Sequence, residues 1–176
     1  MSEIHPRILI FTGHGKGKTT AALGMILRAA GHGMSTFLLQ FMKKNTTTGE
    51  LKALTRLPSI TVRQHGLGFV PQPDSPTFAL HQQKAEEALE IAEEAVIANQ
   101  FDLIVLDEIC GAVAKGLITE ANVLALIDKL PAQTVLVLTG RNAGQALIKK
   151  ADTVSEIQMV KHGFQLGIPA GKGVEF

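Results

Sequence analysis

The stretch RILIFTGHGKGKTT, Arg7 to Thr20, decides how this chain is read. Its first five residues, Arg7 to Phe11, form an apolar run without polar alternation, the pattern of a strand buried on both faces of a parallel sheet. The run passes directly into Thr12 to Thr20, nine residues that hold three glycines, two lysines and three threonines. The segment TTAALGMILRAAGHG that follows is rich in good helix formers and stops at Gly31 and Gly33. Strand, glycine loop and helix therefore occur in the order that handles the phosphates of a nucleotide. The open question is which group of the nucleotide is transferred.

TGHGKGKT has the length and the GKT ending of the P-loop pattern GxxxxGK[ST], with Thr12 at the position of the first glycine. Gly13, Gly15 and Gly17 can take positive φ and let backbone N–H groups converge on phosphate oxygens, while the helix starting near Lys18 directs its positive end at them. In this reading Lys18 reaches phosphate, Thr19 holds magnesium and Lys16 adds a second cation. His14 either contacts phosphate or faces solvent. The competing reading is a glycine-rich turn with two exposed lysines, which the order of the flanking elements disfavours.

Composition narrows the function classes. A chain of 176 residues fits a single domain, 1–176, able to bury an ordinary core. Seventeen Lys and Arg against sixteen Asp and Glu leave a net charge of +1, so no broad field recruits nucleic acid or an anionic membrane. Any anion site must be local. The single cysteine, Cys110, excludes an internal disulfide and suits a reducing compartment. No basic amino-terminal region precedes a long apolar run, and no stretch of about 18 apolar residues occurs, so a soluble cytoplasmic protein is expected. With no Trp and no Tyr, eight Phe are the only large aromatic faces, which makes each surface Phe a candidate contact.

Further strands are expected at Ser35 to Phe41, at Ser59 to His65 (alternating, hence edge or one-sided), at Phe101 to Glu108, at Gln133 to Arg141 and at Thr153 to Val160. Between the first two lies a polar loop, KKNTTTGELKAL, leading into a short helix. Residues 66 to 76 hold two Gly and three Pro and read as a surface loop. Helices are expected from Thr77 to Asn99, with its glutamates on a solvated face, and from Thr119 to Leu130. A third runs through Lys150 behind a capping box of Asn142 and Gln145. The last residues form an irregular tail. Alternating strands and helices imply an α/β chain of the three-layer P-loop NTPase (RecA-like) type. Its mostly parallel sheet of about six strands has helices on both faces and ligands at the carboxyl ends of the strands.

Asp107 and Glu108 end a buried strand, where a P-loop protein places the carboxylate that orients magnesium and its water shell. Their alternatives are a helix cap or a surface ion pair. Cys110 behind them reads as a buried small thiol rather than a nucleophile, since no paired histidine can be placed near it.

The loop FTGHGKGKTTAALG, together with LRAAGHG, LLQFMK, TGE, HGLGF, LIVLDEI, VLTGR, LIKKADTVSEI, VKHGF and GKGVEF in this order, resembles the P-loop ATP:corrinoid adenosyltransferases nearly end to end. The resemblance implies transfer of the 5′-deoxyadenosyl group of ATP to the Co(I) centre of a corrinoid, cobalamin or cob(I)yrinic acid a,c-diamide, with release of triphosphate. Such a displacement needs no general base. It needs a stabilised leaving triphosphate, which is an electrostatic task. The resemblance carries over Thr12 to Thr20, including Thr20, as the triphosphate loop, Lys16, Lys18 and Arg141 as catalytic cations, and Thr19 with Asp107 or Glu108 as partners of Mg²⁺, or alternatively Mn²⁺. It also implies Arg28 near the nucleoside and Phe69 under the corrinoid. Arg141 otherwise caps a helix or forms an ion pair, Arg28 otherwise is a solvated helix residue, and Phe69 otherwise packs on the next helix.

Family members carry two aromatics one residue apart in the GLGF segment. Here Pro71 replaces the second, leaving Pro71 or Phe78 as the remaining apolar wall, or a different lower ligand or weak activity as the consequence. The amino-terminal segment ahead of the first strand is short beside that of family members that carry an additional helix covering the site, and the resemblance implies a homodimer and a flavoprotein or other reductase as electron donor. The competing functions are a small-molecule kinase or P-loop ATPase and a noncatalytic corrinoid or nucleotide carrier.

Overall fold

The computed structural model describes residues 5–44 and 47–175. Asn45 and Thr46 of the expected polar loop lie outside the described residues. Six strands are present: β1 (Arg7–Thr12), β2 (Thr36–Gln40), β3 (Ile60–Gln64), β4 (Leu103–Asp107), β5 (Val135–Thr139) and β6 (Thr153–Glu156). They form one sheet in the order β3-β2-β4-β5-β1-β6, with every pairing parallel. The helices are α1 (Lys18–Gly31), α2 (Gly49–Leu54), α3 (Phe78–Ala98), α4 (Ile109–Ala114), α5 (Glu120–Ile127) and α6 (Gln145–Lys150), with a 3₁₀ turn at Gly163–Leu166 beyond them.

The apolar strands sort their side chains by alternation. Ile8, Ile10, Phe37, Leu39, Ile104, Leu106, Leu136 and Leu138 pack on the face covered by α3, α4, α5 and α6. Leu9, Phe11, Leu38, Leu103, Val105 and Val137 point to the other face, against Ala22, Ile26 and Ala29 of α1 and Leu54 of α2. Burying each large aliphatic side chain is worth about 1.5–3 kcal/mol, so the three-layer arrangement results from runs that are apolar on both sides. β3 is one of the two edge strands, with β6 at the other end, and shows the one-sided exposure its alternation predicts.

Three local expectations are corrected. β6 ends at Glu156, not Val160, because the Ile157 carbonyl leaves the sheet to accept from the Gly15 N–H at 2.7 Å. α6 is not capped by Asn142 and Gln145. Asn142 takes a left-handed φ of 55° in the turn, Gly144 is the N-cap residue, and the Glu120 carboxylate of α5 accepts from the Leu147 N–H at 3.1 Å instead. The capping box occurs at Thr119 and Asn122, at the start of α5. Helix α4, directly after β4, is an element that the sequence does not announce.

The order of strands builds a rim. β5 lies between β1, which carries the glycine loop, and β4, which ends in Asp107. Side chains at the carboxyl ends of β1, β5, β4, β2 and β3 are therefore laid out in a row along one edge of the sheet.

Candidate active site

A cleft of about 630 Å³ opens at that rim, walled by the loop residues His14 to Thr20, by Lys43 and Glu50, by Glu108 and Arg141, and by the tail residues 173–175. The loop is held from behind. Thr12 closes β1, buried, and its hydroxyl accepts from the Ala143 N–H at 3.2 Å. Neither Thr12 nor Gly13 belongs to the cleft wall. A Cβ on Gly13 would approach the Ile157 carbonyl to 2.5 Å, and one on Gly15 would approach that of Gln158 to 2.6 Å, so only glycine lets the loop lie against the chain leaving β6. The Gly15 N–H is spent on that contact. Among the described residues, the N–H groups of the first turn of α1 have no intrahelical acceptors and no side-chain cap from Gly17, which leaves them to meet an anion.

Lys18 is only 7% exposed, and its ammonium donates to the Gly15 carbonyl at 2.8 Å. Burial lowers its pKa, the nearby Glu108 carboxylate opposes the shift, Arg141 adds to it and Asp107 opposes it. Lys16 is exposed and donates to the Val174 carbonyl at 2.6 Å, so the tail engages the loop's second cation. His14 and Thr20 are exposed on the cleft wall.

Asp107 is wholly buried and fully subscribed. Its Oδ1 accepts from the Thr19 hydroxyl at 2.8 Å and the Thr139 hydroxyl at 2.7 Å. Its Oδ2 accepts from the Gln40 amide at 2.9 Å and lies 3.5 Å from the Lys43 ammonium. Because Thr19 donates its proton to Asp107, its oxygen lone pairs are left to face the cleft. Glu108 stands in the left-handed region at φ 64°, where its backbone N–H donates to the Thr139 hydroxyl at 2.9 Å. Its carboxylate lines the cleft and takes no hydrogen bond among the described residues. Burial, and then Asp107, raise its pKa, against Lys18, Lys43 and Arg141.

No group of three or more His, Cys, Asp or Glu among the described residues could cage a metal. Magnesium does not require one. It is held by one or two protein oxygens together with substrate phosphates and water. Thr19 with the Glu108 carboxylate, and Asp107 behind Thr19, fit that donor set. The sequence leaves the choice between Asp107 and Glu108 open, and the geometry separates them: Asp107 is buried against the Thr19 hydroxyl, and Glu108 faces the cleft.

Arg141 is exposed on the cleft wall and makes no ion pair among the described residues. Arg28 is not brought to the cleft. It lies on α1 ten residues beyond Lys18, roughly 15 Å along the axis, beside Met25, His32 and Leu103 at the opposite edge of the sheet. Cys110 is completely buried in α4, where burial pushes its thiol up to about 12, in keeping with a packing role.

The loop after β3 is stitched to the end of β2. The His65 N–H donates to the Gln40 carbonyl at 3.1 Å and the Gly68 N–H to that of Met42 at 3.0 Å, and a Cβ on Gly66 would sit 2.4 Å from the Met42 backbone. His65 is also bonded to Glu87 of α3 at 2.7 Å. From this anchored loop Phe69 projects into solvent, 91% exposed, and does not pack on α3. Phe78 is 8% exposed in the core, so it cannot replace the aromatic missing at Pro71.

Thr139, Gln40 and Lys43 join the site although the sequence assigns them no role; they fall within the segments VLTGR and LLQFMK that carry the resemblance. Thr139 and Gln40 carry one legible sign: each is a polar residue closing the carboxyl end of an otherwise apolar strand.

The chain matches the family described as ATP:corrinoid adenosyltransferase BtuR/CobO/CobP over residues 5–176. It is 39% identical over 170 residues to a corrinoid adenosyltransferase of Pseudomonas aeruginosa, covering 96% of this chain and 83% of that one. It is 33% identical over 174 residues to the corrinoid adenosyltransferase CobA of Salmonella typhimurium, covering 96% and 85%. Among solved structures, the flagellar accessory protein FlaH of Methanocaldococcus jannaschii superposes with a TM-score of 0.59 at 11% identity, covering 86% of this chain and 72% of that chain. No helix of the described residues is long and apolar enough to cross a membrane.

Proposed function

The chain belongs to the ATP:corrinoid adenosyltransferase family, and from that premise we propose how its cleft moves the 5′-deoxyadenosyl group of ATP to a corrinoid. The observation that carries the proposal is the convergence of Lys18, Thr19, Asp107 and Glu108 at one rim beside the first turn of α1. The corrinoid's Co(I) electron pair attacks C5′ of the ribose, the C5′–O bond breaks, and its electron pair leaves with triphosphate. None of these steps asks the protein for a proton acceptor.

The protein's contribution is to hold the triphosphate in place and lower the cost of its departing charge. The free N–H groups of α1 receive one end of it. Lys18, fixed at the Gly15 carbonyl, supplies a cation with little water around it. Arg141 approaches from the far wall, and Lys16 joins when the triphosphate displaces the Val174 carbonyl. Thr19 and Glu108 would hold magnesium, which would supply further positive charge to the leaving triphosphate, while Asp107 keeps the Thr19 hydroxyl proton turned away. The exposed ring of Phe69 provides an apolar face for the corrinoid on the loop anchored to β2. We read the chain as one domain acting as a cytoplasmic homodimer, with a flavoprotein or other reductase supplying the electron that generates Co(I).

Incubation without oxygen with Mg-ATP and chemically reduced cobalamin tests the reading. A light-sensitive organocobalt spectrum is expected. An unchanged corrinoid spectrum, with protein that still binds ATP, contradicts it.

A further inference from the structure

The Asp107 carboxylate, buried behind Thr19 at the back of the cleft, is held by a row of side chains that extends across the sheet to β3. Parallel register places Gln40 beside both Gln64 of β3 and Asp107 of β4. Gln64 Nε2 donates to Gln40 Oε1 at 2.7 Å, and Gln40 Nε2 donates to Asp107 Oδ2 at 2.9 Å. The direction of this row is dictated by its chemistry. An ionised Asp107 only accepts, so Gln40 must turn its NH₂ toward it. The Gln40 oxygen then faces β3 and needs a donor there, which the Gln64 NH₂ supplies.

Gln40 is 0% exposed, so neither end of its amide can exchange its partner for water. With Oδ2 held in this way, Asp107 presents Oδ1 to the hydroxyls of Thr19 and Thr139. Thr139 closes the row by accepting from the Glu108 N–H. Both residues that face the metal–triphosphate thus take their orientation from one polar row crossing β3, β2, β4 and β5.

We infer that Gln40 and Gln64 are positioning residues for metal–nucleotide binding: Gln40 fixes the Asp107 carboxylate, and Gln64 fixes the Gln40 amide. The inference rests on the proposed function for the identity of the ligand. Asp107 is itself an outer partner, since it turns the Thr19 hydroxyl oxygen toward the ion, and outer partners govern metal affinity by setting the angle of the group that touches it.

The test is calorimetric titration of the purified protein with ATP, with and without magnesium, for the wild type, Gln40→Met and Gln64→Glu. Gln40→Met keeps the side-chain length and removes the donor. Gln64→Glu, at a half-buried position, turns the donor into an acceptor and sets Gln40 free to reverse. Both should weaken binding of Mg-ATP about tenfold or more while leaving magnesium-free ATP binding unchanged, a selectivity that general destabilisation would not produce. Should Gln40→Met fail to fold, Gln64→Glu decides alone. Folded variants that bind Mg-ATP as the wild type does, or that lose both forms of ATP equally, overturn the inference. A wild type whose ATP binding ignores magnesium would instead overturn the metal assignment beneath it.

Discussion

Lys18 sets its ammonium against the Gly15 carbonyl with almost no solvent around it, which fixes the charge in place before any ligand arrives. Replacing it with alanine removes a preorganised cation from the departing triphosphate, and kcat/KM should fall by about 10²–10³-fold. Thermal unfolding should stay cooperative and near the wild-type midpoint, since the amine satisfies one carbonyl at the edge of the cleft. A collapse of the fold would assign Lys18 a structural role instead. The residue scale is also where reading from sequence reaches its limit. Lys18, Thr19, Asp107 and Glu108 are legible because a loop motif and a strand-end carboxylate pair each carry a known task. Arg28 is expected at the nucleoside through the resemblance, but an α-helix carries residues away from the loop at about 1.5 Å each. Thr139 lies in the VLTGR segment but carries no chemistry that assigns it a task; only the placement of β5 between β1 and β4 gives it two partners.

At the scale of elements, the strands are legible and the helix ends less so. A parallel strand buried on both faces announces itself as an apolar run, as RILIF and LIVL do. Capping signals are short and recur by chance: Asn142 with Gln145 and Thr119 with Asn122 have the same spacing, and only the second pair forms a box. The six residues of α4 are too few to show a helical period. What does secure α6 is the Glu120 carboxylate, which lies so close that a Cβ on Gly144 would meet it at 2.0 Å. Glu120→Ala should therefore destabilise the protein by about 1 kcal/mol, the usual worth of a helix cap, in denaturant unfolding, while Mg-ATP affinity stays as in the wild type.

The clamp between α3 and β3 has a pH signature. Hydrogen bonds from Lys84, and then from His65, hold the Glu87 carboxyl down to about 2 against an ordinary value of 4.5. A carboxyl whose folded pKa is depressed stabilises above its unfolded value and loses that contribution as pH falls toward the folded one. The difference in unfolding midpoint between wild type and Glu87→Gln should thus be present at about pH 6 and shrink as the solution is taken from about 4.5 toward 2. A difference constant across that range would show that the clamp does not act through charge.

The whole molecule divides its labour along one rim. The β1 and α1 side carries the glycine loop proposed to receive phosphates, the β3 side presents Phe69, and the polar row joins them through β4 and β2. The corrinoid side is the sparser of the two, since Pro71 stands where the family places an aromatic and Phe78 is committed to the core. Pro71→Trp should accordingly raise the rate of reactions started from cob(II)alamin with a reductase. Reactions started from chemically prepared cob(I)alamin should proceed as before, because the added ring acts on reduction and not on the displacement.

Which group the TGHGKGKTT loop helps to transfer is decided by which bond of ATP is cut. Anaerobic single-turnover reaction with cob(I)alamin and Mg-ATP, with separation of the phosphate products, measures it directly. Adenosyl transfer, the reaction of the family to which the chain belongs, predicts intact triphosphate in equal amount to the organocobalt product formed. ADP and inorganic phosphate, without a cobalt–carbon bond, would contradict the account.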